Sequence, residues 1–149
     1  MYTHILISTD GSELAQRGVD HGLSLAKALG AKVTAITVSE PIPFPAGAAG
    51  AGWVPTATDI TRYETGQKEH AEKLLGELRD AAAKLGVETK LVHAPDTWPA
   101  EAIVQTAKAE GCNLIVMASH GRRGLGRLIL GSQTSEVLSS SPIPVLVIK

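Results

Sequence analysis

The sequence predicts an α/β fold of the doubly wound kind, a parallel sheet covered by helices on both faces. Three observations predict it. Short β-branched runs alternate with stretches of helical period from one end of the chain to the other. The run Asn113–Ala118 is apolar at successive positions, the pattern of a strand buried on both faces. The composition is 44% hydrophobic but only 3% aromatic, so the core is drawn from Ala, Val, Ile and Leu, as suits helices packed on parallel strands. At 149 residues and without internal repeats, the chain reads as one domain, 1–149.

His4–Thr9 is the first strand, closing on the turn Asp10-Gly11-Ser12. Ala15, Val19, Gly22, Ala26 and Leu29 then recur at spacings of four and three, one face of a helix that Gly30 ends. Lys32–Val38 is the second strand. After it, prolines at 41, 43, 45 and 55 and the small residues of 46–52 predict a flexible loop over about 39–58. The second helix starts somewhere between Thr58 and Thr65, carries Ala71, Leu74, Leu78, Ala81 and Leu85 on one face, and stops at Gly86. Val87–His93 is the third strand and Pro99–Glu110 the third helix, with Pro99 in its first turn. Asn113–Ala118 is the fourth strand, Ser132–Ser139 a last helix and Ile143–Ile148 a last strand.

Net charge is −1, so the overall field recruits neither nucleic acid nor an anionic membrane, and any anion site has to be local. Apolar runs such as Leu114–Ala118 are too short to span a bilayer, and Met1 leads into a strand instead of a signal peptide, so the expected location is cytoplasmic. The single cysteine, Cys112, has no partner for an internal disulfide and is expected to be a buried thiol. His4, His21, His70 and His93 show no metal-ligand spacing.

Right-handed crossovers in such a sheet put ligands beyond the carboxyl ends of the strands, here at Asp10 and in the loops after strands two and four. The segment after strand four concentrates the chemistry. Glycines at 121, 124, 126 and 131 allow close backbone approach, Arg122, Arg123 and Arg127 add positive charge, and Ser132, Gln133 and Thr134 stand where a helix opens its N–H groups to an anion. A surface turn followed by a Ser132 cap accounts for the same residues, and both readings stand. No P-loop is present, and Gly124-Leu125-Gly126 lacks the third glycine of a dinucleotide fingerprint.

The layout of Ile5–Ser12, of Ile115–Gly121 and of Gly131-Ser132 before Pro142–Val147 resembles the universal stress protein family over nearly the whole chain. The resemblance implies a flavodoxin-like, five-stranded sheet in the order 3-2-1-4-5. It also implies a site for ATP or a related adenine nucleotide, which ATP-binding members mark with G-x2-G-x9-G-[ST]. Gly121, nine intervening residues, Gly131 and Ser132 match that pattern, whereas Ala118 replaces its first glycine. Carried over, Asp10 would meet the ribose or adenosine part and the Val38 backbone would line the adenine. Gly121, Gly131, Ser132, Gln133 and Thr134 would surround the phosphates, with Ala118 and His120 at their edge. Mg2+ would arrive with the nucleotide, through its phosphates and the Ser132 hydroxyl.

A second departure is Thr97, which stands before Trp98–Ile103 where the family usually has glycine. Trp98 either stacks on a base or packs over the third helix. Asp10 has a competing role as cap of the first helix, shared with Ser12 or Gly11. Trp53 either anchors the 39–58 loop as a lid or belongs to an unconstrained loop. His120 could touch a phosphate but has no Ser or Cys assignable as a nucleophile partner, so no dedicated catalytic activity is expected. The family also associates through its last strand, which implies a homodimer at Val145–Ile148, where an apolar edge would otherwise lie unpaired. The expected function is therefore a nucleotide-binding regulatory dimer of the stress response. Its alternatives are an interaction protein whose pocket Ala118 and Thr97 have spoiled, and a slow ATPase.

Overall fold

The computed structural model describes residues 1–45, 47–48, 50–121 and 130–149. Its elements alternate: β1 (His4–Ser8), α1 (Glu13–Leu29), β2 (Lys32–Val38), α2 (Ala57–Lys84), β3 (Thr89–Ala94), α3 (Pro99–Glu110), β4 (Leu114–Ala118), α4 (Ser132–Ser140) and β5 (Val145–Ile148). The strands form one sheet in the order β3-β2-β1-β4-β5, parallel throughout. Among the described residues, no helix is long and apolar enough to cross a membrane.

The two-residue period of the strands divides the core into two layers. Ile5, Ile7, Val33, Ala35, Leu114 and Val116 face α1 and α2, where Val19, Leu23, Leu75 and Leu78 meet them. Leu6, Ile36, Ile115 and Met117 face the other way, toward Ile103 and Val104 of α3 and Val137 of α4. Burial on both faces is why β4 reads as an unbroken apolar run. Gly22 of α1 is glycine because a Cβ there would press into the buried Ile7 side chain.

Helix ends follow local chemistry. Ser12 caps α1 by accepting from the Ala15 N–H at 3.2 Å. Gly30 and Gly111 end α1 and α3 in the left-handed conformation, at φ 63° and 73°. The start of α2 falls at Ala57, fixed by a capping box between Thr56 and Asp59. The buried stripe of α2 is Ala71, Leu75, Leu78 and Ala82, one residue round from the expected Leu74, Ala81 and Leu85, which are half-buried along its border. β3 begins at Thr89, two residues past the expected Val87, because Gly86 at φ 71° still belongs to the helix stop. β5 begins at Val145, after Pro142 and Pro144 rather than between them.

The amino ends of β1, β2 and β4 are tied by polar side chains. Asn113 accepts from the Thr3 and His4 amides at 3.1 and 3.2 Å. The His4 ring, 6% exposed, lies 2.8 Å from the Thr34 hydroxyl through Nε2. Burial first, and the nearby Lys32 charge second, hold its pKa below the ordinary 6.5. In this range the unfolded chain takes up a proton that the folded chain refuses, so stability decreases as pH drops below about 6.5. Denaturant melts between pH 7.5 and 5 will show this loss, and His4→Gln will flatten it; His93, also shifted down, will retain part of the slope.

Candidate functional site

A cleft of about 720 Å3 opens at the carboxyl ends of β1, β2 and β4, within the range of roughly 300–1,000 Å3 usual for small-molecule sites. Asp10, Val38, Ala118, His120, Gly121, Gly131, Ser132, Gln133 and Thr134 all line it. The residues at 122–129, which include Arg122, Arg123, Gly124, Gly126 and Arg127, lie outside the described residues.

Asp10 is not the helix cap. Ser12 has that role, and Asp10 instead accepts from the Ser12 amide through Oδ1 at 2.9 Å, an Asx turn that fixes its carboxylate at the cleft. Gly121 rests directly against that carboxylate: a Cβ at 121 would collide with Asp10 Oδ2. Gly131 is held less tightly, since its Cβ would lie 3.2 Å from the His120 Cα, and its amide donates to the Ser119 carbonyl at 2.8 Å. At both positions it is the space around the Cα, more restricted at Gly121, and not a left-handed backbone that favours glycine.

Gly131 is the N-cap of α4, which leaves Ser132 as its first helical residue and not its cap. Among the described residues no side chain caps this helix. The amides of its first turn, at Ser132, Gln133 and Thr134, therefore face the cleft with the positive end of the helix dipole.

The side chains of that turn are used structurally. Thr134, buried, donates its hydroxyl to the Ala118 carbonyl at 3.0 Å. The Gln133 carbonyl Oε1 accepts from the Ala100 amide at 2.9 Å, and so serves the N-terminus of α3, whose own N-cap, Trp98, makes no side-chain hydrogen bond. One amide thus joins two helix starts at the rim.

The two departures from the expected pattern prove to be of different kinds. Ala118 ends β4 as an ordinary paired strand residue, in register with Ile148, with no positive φ that would call for glycine. Thr97 does not line the cleft, and its amide donates to the Ser39 carbonyl at 3.3 Å. Trp98, 54% exposed, borders the opening. Trp53 packs within its own loop, its ring centroid 5.6 Å from that of Phe44, and is not among the residues lining the cleft.

His120 does have a serine beside it: Ser119 Oγ lies 3.3 Å from Nδ1. Ser119 is buried and does not line the cleft, so this contact orients the ring and does not present a nucleophile.

Further lining residues carried no obvious signal in the sequence. Ser39, buried at the end of β2, bonds the His93 ring at 2.7 Å. Burial pushes the His93 pKa down, leaving a neutral ring able to accept the hydroxyl proton. The wall opposite α4 is Glu40 with Tyr63, Gln67 and His70 of α2. Their spacing of four and three marks one helical face, hidden because the start of α2 was not fixed by the sequence.

The strand order and this cleft at its point of reversal define a doubly wound α/β protein with a ligand-sized site at the switch point. The family model for the universal stress protein family matches residues 1–149, and the chain belongs to that family. A universal stress protein of Thermus aquaticus is 34% identical over 149 residues, all of both chains. UspA from Lactobacillus plantarum has the same fold, with a TM-score of 0.82 at 24% identity over 99% of this chain and 98% of that one. Two further family structures, each with a TM-score of 0.67, hold nucleotides. One, 24% identical, is in complex with cAMP, over 99% of this chain and 97% of that one; the other, from Archaeoglobus fulgidus and 20% identical, is in complex with dAMP, over 99% and 98%.

Gln133→Ala will remove the acceptor from the start of α3 and lower the unfolding free energy by about 1 kcal/mol in urea melts. Ser132→Ala, which alters no capping bond, will leave the same midpoint unchanged.

Proposed function

We propose that the protein binds ATP or a related adenine nucleotide in the switch-point cleft and acts as a regulatory dimer in the stress response. The observation that carries this reading is the uncapped start of α4, whose amides face a cleft that also holds the Asp10 carboxylate. Amides at a helix N-terminus suit phosphate oxygens. A carboxylate, an acceptor only, suits ribose hydroxyls.

In this reading the close fit of Gly121 and Gly131 brings backbone up to the phosphates, and the Val38 backbone borders the base. The adenine nucleotides held by the cAMP and dAMP complexes of the same fold support the choice of ligand. Ala118, as a regular strand residue, leaves the cleft open and weakens the case for a spoiled pocket.

Among the described residues no group of three or more His, Cys, Asp or Glu could hold a metal. Mg2+ would enter with the phosphates and meet the Ser132 hydroxyl, neutralising phosphate charge. Binding, not turnover, is the function proposed.

Mass spectrometry of ligand released from purified protein, with calorimetric titration of ATP, tests this reading. Expected are a co-purifying adenine nucleotide or saturable ATP binding, with affinity at least about tenfold weaker in Asp10→Ala. The melting temperature of that variant without nucleotide will change by only a few degrees. Absence of binding at millimolar ATP would refute the proposal.

The dimer reading rests on β5, which closes the sheet on one side and exposes Leu146. The Ile115 amide bonds to the Pro144 carbonyl and the Ser119 amide to the Ile148 carbonyl, so by alternation the amides of Val145 and Val147 point outward, where a second copy would pair. Val147→Pro removes an outward donor without breaking the ladder to β4. Sedimentation analysis is expected to give a dimer for the natural chain and a monomer for this variant; a monomeric natural chain would dismiss the dimer.

A further inference from the structure

We propose that Gln67, oriented by Tyr63, reads the six-position of a purine in the cleft, accepting a hydrogen bond from the exocyclic amine of adenine and disfavouring 6-oxopurines. This rests on the adenine-nucleotide reading above and assigns its base selectivity to α2.

The orientation follows from counting protons. Tyr63 OH lies 2.9 Å from the Glu40 carbonyl oxygen, which can only accept, so the single phenol proton is committed there. The Gln67 amide lies 3.2 Å from the same phenol oxygen, which therefore has only lone pairs to offer it. The Gln67 end that faces Tyr63 must then be the NH2 group, an assignment forced by the network. Oε1 consequently points away from the phenol.

Oε1 is also accessible. Among the described residues no buried side-chain nitrogen or oxygen lacks a partner, and Oε1 bonds to none of them. It is therefore not sealed in the protein, and Gln67 lines the cleft. Its position suits a base: Glu40, which anchors the phenol, is two residues beyond Val38, the backbone proposed to border the adenine.

Chemistry sets the direction of selectivity. The amine at C6 of adenine donates and satisfies Oε1. The carbonyl at C6 of hypoxanthine or guanine would set one lone pair against another. Turning the amide over to donate would place Oε1 against Tyr63, whose proton would have to leave the Glu40 carbonyl.

Calorimetric titration of the full chain with ATP and with inosine triphosphate, at fixed salt and Mg2+, isolates the six-position. The natural chain is expected to prefer ATP by about tenfold or more. In Gln67→Leu the preference will collapse toward unity. Tyr63→Phe, which frees the amide to turn over, will also erode it, with ATP affinity changed only a few-fold. Should Gln67→Leu not fold, Tyr63→Phe carries the test alone. Equal affinities in the natural chain, or a preference untouched by the variants that fold, would overturn the assignment of Gln67 and leave nucleotide binding standing. Failure of the natural chain to bind either nucleotide would sink the nucleotide reading and this assignment together.

Discussion

The cleft is a consequence of handedness. From β1 the chain moves to β2 on one side, and from β4 it moves to β5 on the other. Right-handed crossovers then force α1 and α4 onto opposite faces of the sheet, as the two core layers record. The segments leaving β1 and β4 diverge above adjacent strands, so neither fills the space between them. Asp10 and the first turn of α4 depend on this divergence, because it leads the chain away from β1 and from β4 on opposite faces while leaving both at the cleft.

What was legible in the sequence follows from how local its cause is. Strands and helix stops are set by residues a few positions apart, so β1, α1, β2 and the glycine stop at Gly30 could be read directly. The Gly121–Gly131 spacing was legible as a motif, but its reason was not. Gly121 answers to Asp10, more than a hundred residues earlier, and Gly131 to the His120 backbone. Gln133 shows the same limit. A residue expected at a phosphate turns its side chain to Ala100 of another helix, a cap made across 33 residues with no signature at either end.

The base side was the less legible half for a related reason. The capping box Thr56–Asp59 is a local signal, but it sits at the end of a proline-rich loop whose composition argues against structure. Without that start, Tyr63, Gln67 and His70 have no helical phase, and three polar residues do not announce a wall. The rotated stripe of α2 has the same origin: Leu74 and Leu75 are both apolar, and only the tertiary placement chooses between them.

The two sides of the cleft differ in how firmly they are held. On the α4 side, an added methyl would collide at Gly121 and be tight at Gly131, and Thr134 and Gln133 bond outside their own helix. On the α2 side, burial starts at Ala71, and the four turns before it stand largely exposed. They depend on the capping box and on the bond from Tyr63 to Glu40. Few buried contacts mean a low free energy for local opening. The α4 side thus offers amides in a fixed geometry, which suits a group of invariant shape such as phosphate. The α2 side is the less firmly held of the two, and there the Tyr63–Gln67 pair sets which donors and acceptors the wall presents.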